Sequence, residues 1–361
     1  MLGSAMTIAA AGAASQANAQ PSGKSMRYWY VAGSGADLAL QMDEQPIPRP
    51  GPGEVLLKVR ATGINAIDLV SMGGTGFKPG GPRHIPLQDN ACEVAELGPG
   101  VAGLNVGDRV TTTLYVEWIT GPWDINYTRT MPGLRTNGFL AEYAVMPAAT
   151  MVKFPDRFTD EEACTLAIAG LTSWRALVEE ACVKAGETVV TLGTGGVSTF
   201  GLQIAKMFGA RVIVTSSSDE KLERMKAMGA DAVVNYRKTA WQDEVMKLTE
   251  GGGANVILNN VGWPEVENSL TASAANARVM HVGASRERTK MKNWPNMIMK
   301  NIWMKGFTMA GRQMLGTFLS AMEHGSLKPV VDRVFTFQQA EEAVRFAAQS
   351  SHIGKIVIKV S

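Results

Sequence analysis

Residues 188–218 read TVVTLGTGGVSTFGLQIAKMFGARVIVTSSS, and the fold is decided by how that stretch is punctuated. Thr188 to Leu192 is a short apolar run of strand type, ended by the turn Gly193-Thr194-Gly195-Gly196-Val197-Ser198. Phe200, Ile204, Ala205 and Phe208 then recur at helical spacing, and the β-branched run from Arg211 to Thr215 closes a βαβ unit. In a G-x-G-x-x-G turn the first glycine makes the bend. The second lets a pyrophosphate approach backbone N–H groups at a helix N-terminus, and the third lets helix and strand pack closely. Gly193 and Gly195 fill the first two places and Ser198 stands in the third. Such a turn can also serve chain reversal alone. Its position between strand and helix points to a dinucleotide, with Gly193, Thr194, Gly195, Gly196 and Val197 as contacts.

The end of the second strand selects the dinucleotide. An NAD-selective site places an Asp or Glu there for the ribose 2′-hydroxyl. This chain has Thr215-Ser216-Ser217-Ser218, with Lys221 and Arg224 one turn further on. No acid repels a 2′-phosphate, and hydroxyls with a cation can converge on a dianion, so NADP(H) is expected, held in part by Ser216 and Lys221. Ser217 and Glu220 also have the S-x-x-E form of a capping box, which leaves Lys221 as a solvated helix charge; the two readings are compatible.

Composition sets outer limits. At 361 residues, 45% hydrophobic and 19% charged, the chain has the size and balance of two ordinary globular domains. The 35 basic and 33 acidic residues leave a net charge of +2 with no basic run, so nucleic acid is not an expected partner. Cys92, Cys164 and Cys182 are odd in number and widely spaced, which argues against a disulfide framework, and the four histidines never stand at metal-ligand spacing. Residues 1–25 are rich in Ala, Gly and Ser, too diluted for a membrane span, with an A-x-A site at Ala17-Asn18-Ala19. They are expected to be a tail on a cytoplasmic enzyme. The alternative is the back half of a twin-arginine type signal for export to the periplasm.

A proline-rich connection, Pro48-Arg49-Pro50-Gly51-Pro52-Gly53, leads into a strand from Glu54 to Thr62 and then Gly63-Ile64-Asn65-Ala66-Ile67-Asp68. LGPGVAGLNVGDRV (97–110), GFLAEYAVMP (138–147), AIAGLTSWRAL (167–177) and HIGKIVIKV (352–360) follow in order. With the dinucleotide turn, these motifs resemble the medium-chain dehydrogenase/reductase superfamily from about Met26 to Ser361, and within it the zinc-free quinone oxidoreductase branch. The resemblance implies an α/β fold: a Rossmann doubly wound parallel sheet plus a mostly β GroES-like barrel domain. Its expected boundaries are 26–152 for the catalytic domain, 153–324 for the NADP-binding domain and 325–361 for a return to the first, with the active cleft between them. Family habit implies a homodimer, through edge pairing near Trp303 to Met309.

Zinc-dependent relatives carry a Cys in G-x-C-x-x-D, a His-Glu pair in G-H-E and a Cys or His near A-G-L-T. Here those places hold Asn65, then Gln88 and Asp89, then Ile168, and residues 111–135 lack the cysteines of a structural zinc lobe. Amides and an isoleucine do not replace thiolate and imidazole, so no metal site is expected. Without a Lewis acid, the expected acceptor is one already activated by conjugation, a quinone or an α,β-unsaturated carbonyl. The resemblance puts Asn65 near the nicotinamide; the alternative for it is a helix N-cap. Asp68 is placed beside it, steadying the backbone, and Thr172 faces the cofactor or else bonds the preceding helical turn. Lys221 and Tyr236 match a pair that grips the 2′-phosphate in the quinone-reductase branch. Gly262 and Gly283 are expected to let the nicotinamide half approach the backbone. Tyr115 and Trp118, with Trp123 and Tyr127, are offered as aromatic walls of a substrate pocket, with ordinary core packing as the other reading. Two other functions stay open: a zinc-free alcohol dehydrogenase or carbonyl reductase, and a protein that binds NADPH without turnover.

Overall fold

The computed structural model describes residues 23–33, 39–73, 81, 83–283, 285, 287 and 290–361. Ala17 to Ala19, on which the export reading rests, lie outside them. The early strands are β1 (Ser25–Val31), β2 (Leu40–Pro46), β3 (Glu54–Ile64), β4 (Ala91–Leu97), β5 (Arg109–Thr111), β6 (Tyr143–Pro147) and β7 (Val152–Lys153). A second set follows: β8 (Thr188–Leu192), β9 (Arg211–Ser216), β10 (Ala232–Asn235), β11 (Ala254–Asn259), β12 (Ser273–His281) and β13 (Trp303–Gly306). The chain closes with β14 (Val331–Thr336) and β15 (Lys355–Lys359).

Among the described residues, β8 to β13 form one parallel sheet in the order β10-β9-β8-β11-β12-β13. All five residues of β8 are buried, as expected of a strand covered by helices on both faces. Chain order reverses between β8 and β11, the point at which an open α/β sheet leaves a crevice beyond its strand ends. The glycine turn leaves β8 at that point and enters the helix Gly196–Met207.

The other large sheet runs β14-β15-β3-β4-β5-β7, with β6 also on β3. Strand β3 has two partners on one edge because it is long: Glu54 to Lys58 pair with β6, and Ala61 to Ile64 pair with β15. Register shifts between Leu56 and Leu57 and between Val59 and Ala61, on the edge facing β4, bend it between those partners. The sheet therefore curls around a core that includes Val55, Leu57, Val59, Leu140 and Ile358. The last strands thus return to the first sheet, and a separate apolar cluster joins Ala61, Ala91 and Val357 of that sheet to Val214 and Leu258 of the parallel one and Phe200 of the helix Gly196–Met207. One continuous core fixes the two units against each other beside the glycine turn.

Candidate active site

Gly193 adopts φ +80°, in the region that favours glycine, as the first position of the turn requires. Gly195 is the N-cap of the following twelve-residue helix, and among the described residues no side chain caps it. A Cβ built on Gly195 meets nothing within 4 Å. The helix N-terminus thus has no side-chain cap and has open space beside Gly195, a cradle fitted to an anionic pyrophosphate. The close helix–strand approach assigned to the third glycine is found one turn later. A Cβ on Gly201 would lie 2.8 Å from Leu258 Cδ2, whereas Ser198 is spent on hydrogen bonds, donating to Leu192 O at 2.7 Å and accepting from Asn260 Nδ2 at 3.1 Å. A serine is tolerated in the third place because the packing function has moved to position 201.

At the nicotinamide end, Gly262 has φ +119° and both its backbone polar groups are held by Asn259, whose Oδ1 accepts at 2.9 Å and whose Nδ2 donates at 3.1 Å. Gly283 packs backbone to backbone on Gly262: any Cβ there would overlap Val261 and Gly262 and lie 2.6 Å from the Asn260 carbonyl carbon. These glycines let two strand ends touch, and Asn260 Oδ1 is left buried without a partner among the described residues. An orphaned acceptor beside the glycine cradle fits a ligand that donates hydrogen bonds.

The end of β9 corrects one detail. The helix Asp219–Ala227 is capped by Ser218, not Ser217: the Ser218 Oγ accepts from Lys221 N at 3.4 Å. Helix start is set by which serine has extended backbone, and Ser218 does, at φ −130° and ψ 127°. Ser216 Oγ accepts from Ser218 N at 3.3 Å. Lys221 Nζ donates to Ser350 O at 2.9 Å, which pins the segment after the helix Ala340–Ala348 to this corner. Burial draws the Lys221 ammonium below its ordinary pKa, opposed by Asp332 and Glu220. Tyr236 is 48% exposed, and its backbone N–H donates to Ser216 O.

A buried polar cluster gathers beside the first sheet. Asn65 precedes the helix Ala66–Met72, and its N–H donates to Asp68 Oδ2 at 2.8 Å, so the N-cap reading of Asn65 holds alongside any other role. Gln88 Nε2 donates to Asp68 Oδ1 at 2.8 Å. Burial pushes the Asp68 carboxyl up to about 7; the Asn65 N–H opposes this and Asp89 adds to it. Lys355, from β15, is 3% exposed and donates to Ile64 O at 2.6 Å and Asn65 Oδ1 at 2.7 Å. Its ammonium also stands 2.9 Å from Asp89 Oδ2, a carboxylate with no exposed surface. Asp89 fits because Gly63 has no side chain, since a Cβ there would overlap the carboxylate. The Lys355 stem runs past the turn: a Cβ on Gly196 would lie 2.6 Å from Lys355 Cδ, and Gly354 N donates to Thr194 O at 2.8 Å. Cluster and cradle are therefore in contact. Gly196, expected as a cofactor contact, has this lysine as its immediate neighbour.

Thr172 is buried in the helix Leu171–Trp174. Tyr115 and Trp118 are 6% exposed each and pack with Trp123, Tyr127, Met131 and Ile168, the Tyr115 hydroxyl bonded to Thr308 Oγ1. Burial raises the Tyr115 phenol pKa, with the Thr308 bond opposing. That is the core-like arrangement, and the place of a third zinc ligand, Ile168, belongs to it. A surface hollow of about 630 Å³ around Asp108, Arg109 and Asp156 touches none of these residues. Among the described residues no three His, Cys, Asp or Glu side chains are grouped to hold a metal, and no helix is long and apolar enough to cross a membrane. Lys355 and Asp89 are the site residues that sequence reasoning passed over as functional groups. The available signal was the lysine opening the apolar run of KIVIK.

The family model for the alcohol dehydrogenase GroES-like domain matches residues 51–156, and that for the zinc-binding dehydrogenase matches residues 196–324. A zinc-type alcohol dehydrogenase-like protein of Schizosaccharomyces pombe is 34% identical over 330 residues, spanning 89% of this chain and 95% of its own. Quinone oxidoreductase of Homo sapiens is 27% identical over 304 residues, spanning 82% and 86%. The crystal structure of a putative alcohol dehydrogenase from Sinorhizobium meliloti 1021 covers 93% of this chain and 99% of that one, with 34% identity and a TM-score of 0.87.

Proposed function

The chain belongs to the medium-chain dehydrogenase/reductase superfamily, as an NAD(P)H-dependent oxidoreductase, and from that premise we propose that it uses NADPH to reduce a quinone or an α,β-unsaturated carbonyl without zinc. The observation that carries this reading is the chemistry of the donor set. Ile168 offers no lone pair, the Asn65 oxygen is already given to a lysine ammonium, and the carboxylate at position 89 is neutralised by the same cation. An isoleucine, an amide and a carboxylate paired to a lysine are a poor exchange for the thiolate and imidazole ligands of zinc.

When bound, the reduced nicotinamide supplies a hydride. The chain's own task is to hold and orient. The N–H groups after Gly195 receive the pyrophosphate; Asn260, Gly262 and Gly283 shape the nicotinamide end; and Ser216, Lys221 and Tyr236 take the 2′-phosphate. Asn65 and Asp68 belong to the acceptor side, with Thr172 facing the cofactor. The domain limits proposed are 26–152, 153–324 and 325–361, with cytoplasmic residence. Loss of residues through Ala19 from the native chain, read by mass spectrometry, overturns the last.

Rates with a quinone, an enone and a simple aldehyde, each with NADPH, test the reading. Conjugated acceptors are expected to be turned over fastest, unaffected by chelators. Stoichiometric zinc with chelator-sensitive alcohol oxidation overturns it, and supports instead the activity named for the yeast relative.

A further inference from the structure

We propose that Lys355 is a positioning residue: its ammonium fixes the orientation of the Asn65 carboxamide, so that the amide N–H groups become the hydrogen-bond donor for the acceptor's carbonyl oxygen. The inference rests on the reductase reading above and adds to it the device that replaces a metal.

A lysine ammonium has three donors and no acceptor. Lys355 directs two of them at Ile64 O at 2.6 Å and Asn65 Oδ1 at 2.7 Å, while the buried Asp89 Oδ2 stands 2.9 Å from the ammonium as an ion pair. Only the oxygen end of a carboxamide can face such a group, so the flip of Asn65 is settled by chemistry, and Nδ2 is turned away from the cation. That Nδ2 is buried and has no partner among the described residues. Buried donors are almost always satisfied, and one that is not calls for a ligand or a function.

The location supplies the function. Lys355 passes Gly196 at the head of the dinucleotide helix, and the neighbouring Gly354 pairs with Gly195 as an isolated bridge. The amide at the tip of this lysine therefore stands beside the cofactor cradle. A positive charge behind the amide oxygen polarises the group and strengthens its N–H donors. Asp89 balances the charge, and Asp68 secures the Asn65 backbone from the other side.

During reduction the electrophilic carbon of an enone gains a C–H bond as the coenzyme's breaks; the acceptor is reduced and the coenzyme oxidised by one electron pair. The C=C pair moves toward the carbonyl, charge gathers on its oxygen, and a water proton completes the product at the adjacent carbon. A donor aimed at that oxygen is strengthened as charge develops, which is the requirement for catalysis rather than binding.

The test uses the full chain with NADP⁺, so that no turnover occurs, and 2-cyclohexen-1-one carrying ¹³C at the carbonyl. In the native protein the bound C=O stretch is expected below its value in water-free solvent. Asn65→Asp keeps an oxygen for Lys355 but loses the donor, and Asn65→Ala loses both; each should abolish the shift. Each should also lower kcat with NADPH by roughly 100-fold, with KM and the NADP⁺ dissociation constant little changed. Because removing Lys355 alone strands a buried carboxylate, the double variant Lys355→Met with Asp89→Asn is the fold-preserving probe. It should lose most of the shift, while Lys355→Arg retains part of it. A carbonyl shift and kcat that survive Asn65→Ala, or the double variant, overturn the inference. A native shift without turnover of any acceptor supports it and sinks the reductase reading alone.

Discussion

Lys221 shows how a single side chain can be tested for cofactor choice. It spends a proton donor on Ser350 O, yet an ammonium has two more. A charge-assisted bond contributes about 1.5 to 3 kcal/mol, so Lys221→Ala is expected to weaken NADPH binding roughly tenfold or more while leaving NADH nearly unchanged. Titration by nicotinamide fluorescence reads both, and equal losses refute the phosphate role. Asp68 gives a pH signature. Its folded-state pKa of about 7 lies above the ordinary 3.8, so between those values the folded chain keeps a proton that the unfolded chain sheds. Its contribution to stability is whole at low pH and declines as pH rises through 7, by an amount on the order of a few kcal/mol. Chemical denaturation at pH 5 and 7.5 should show this slope, and Asp68→Asn should flatten it. Sequence exposed Asn65 and Asp68 because they sit in a short motif with side chains of evident chemistry. Lys355 was hidden because alternation in KIVIK gives its two lysines the same face. In the structure Lys359 is exposed and Lys355 is not, since Gly63, Gly196 and Asp89 hollow out a place for the first only.

At the scale of elements, the strand–turn–helix at 188–207 was legible because it combines three independent signals: an apolar run, glycines and a 3.6-residue period. The start of the next helix was displaced by one residue because three consecutive serines offer the same capping chemistry and only backbone geometry separates them. The contact of Gly283 with Gly262 was visible in outline, as two glycines at strand ends, but not its closeness. Gly283→Ala forces a methyl group into the Val261–Gly262 backbone, which has no side chain to move aside. It is expected to cost about 3 kcal/mol or more, through overpacking and a displaced loop. Thermal unfolding should register it as a lower Tm, and an unchanged Tm would show that this junction is slack. By contrast Gly201→Ala meets the tip of Leu258, a side chain, and should cost less.

For the whole molecule, the two-domain plan followed from length and from motifs in register, while its joining did not. The core that runs from Ala61 to Leu258 is assembled from residues far apart in sequence, which no local pattern reports. The proposed homodimer belongs to this scale. Strand β13 pairs only with β12 among the described strands, and Trp303 on it is 45% exposed, with Ile298 and Met299 nearby in sequence at 66% and 81%. A bare strand edge with apolar side chains is suited to pairing with a second copy. Trp303→Glu should convert a dimer to a monomer in light scattering, and a native monomer would dismiss the idea.

The place of β15, between β14 and β3, has a consequence for biosynthesis. A ribosome delivers β3 early and β15 after every other described strand, so the sheet encoded first stays incomplete until β15 has been made. The parallel sheet, whose strands emerge consecutively, can form while the nascent chain is still attached. Completion of the sheets then runs against the order of synthesis: the edge of β3 that β15 covers is open after the strands of the parallel sheet have all been made.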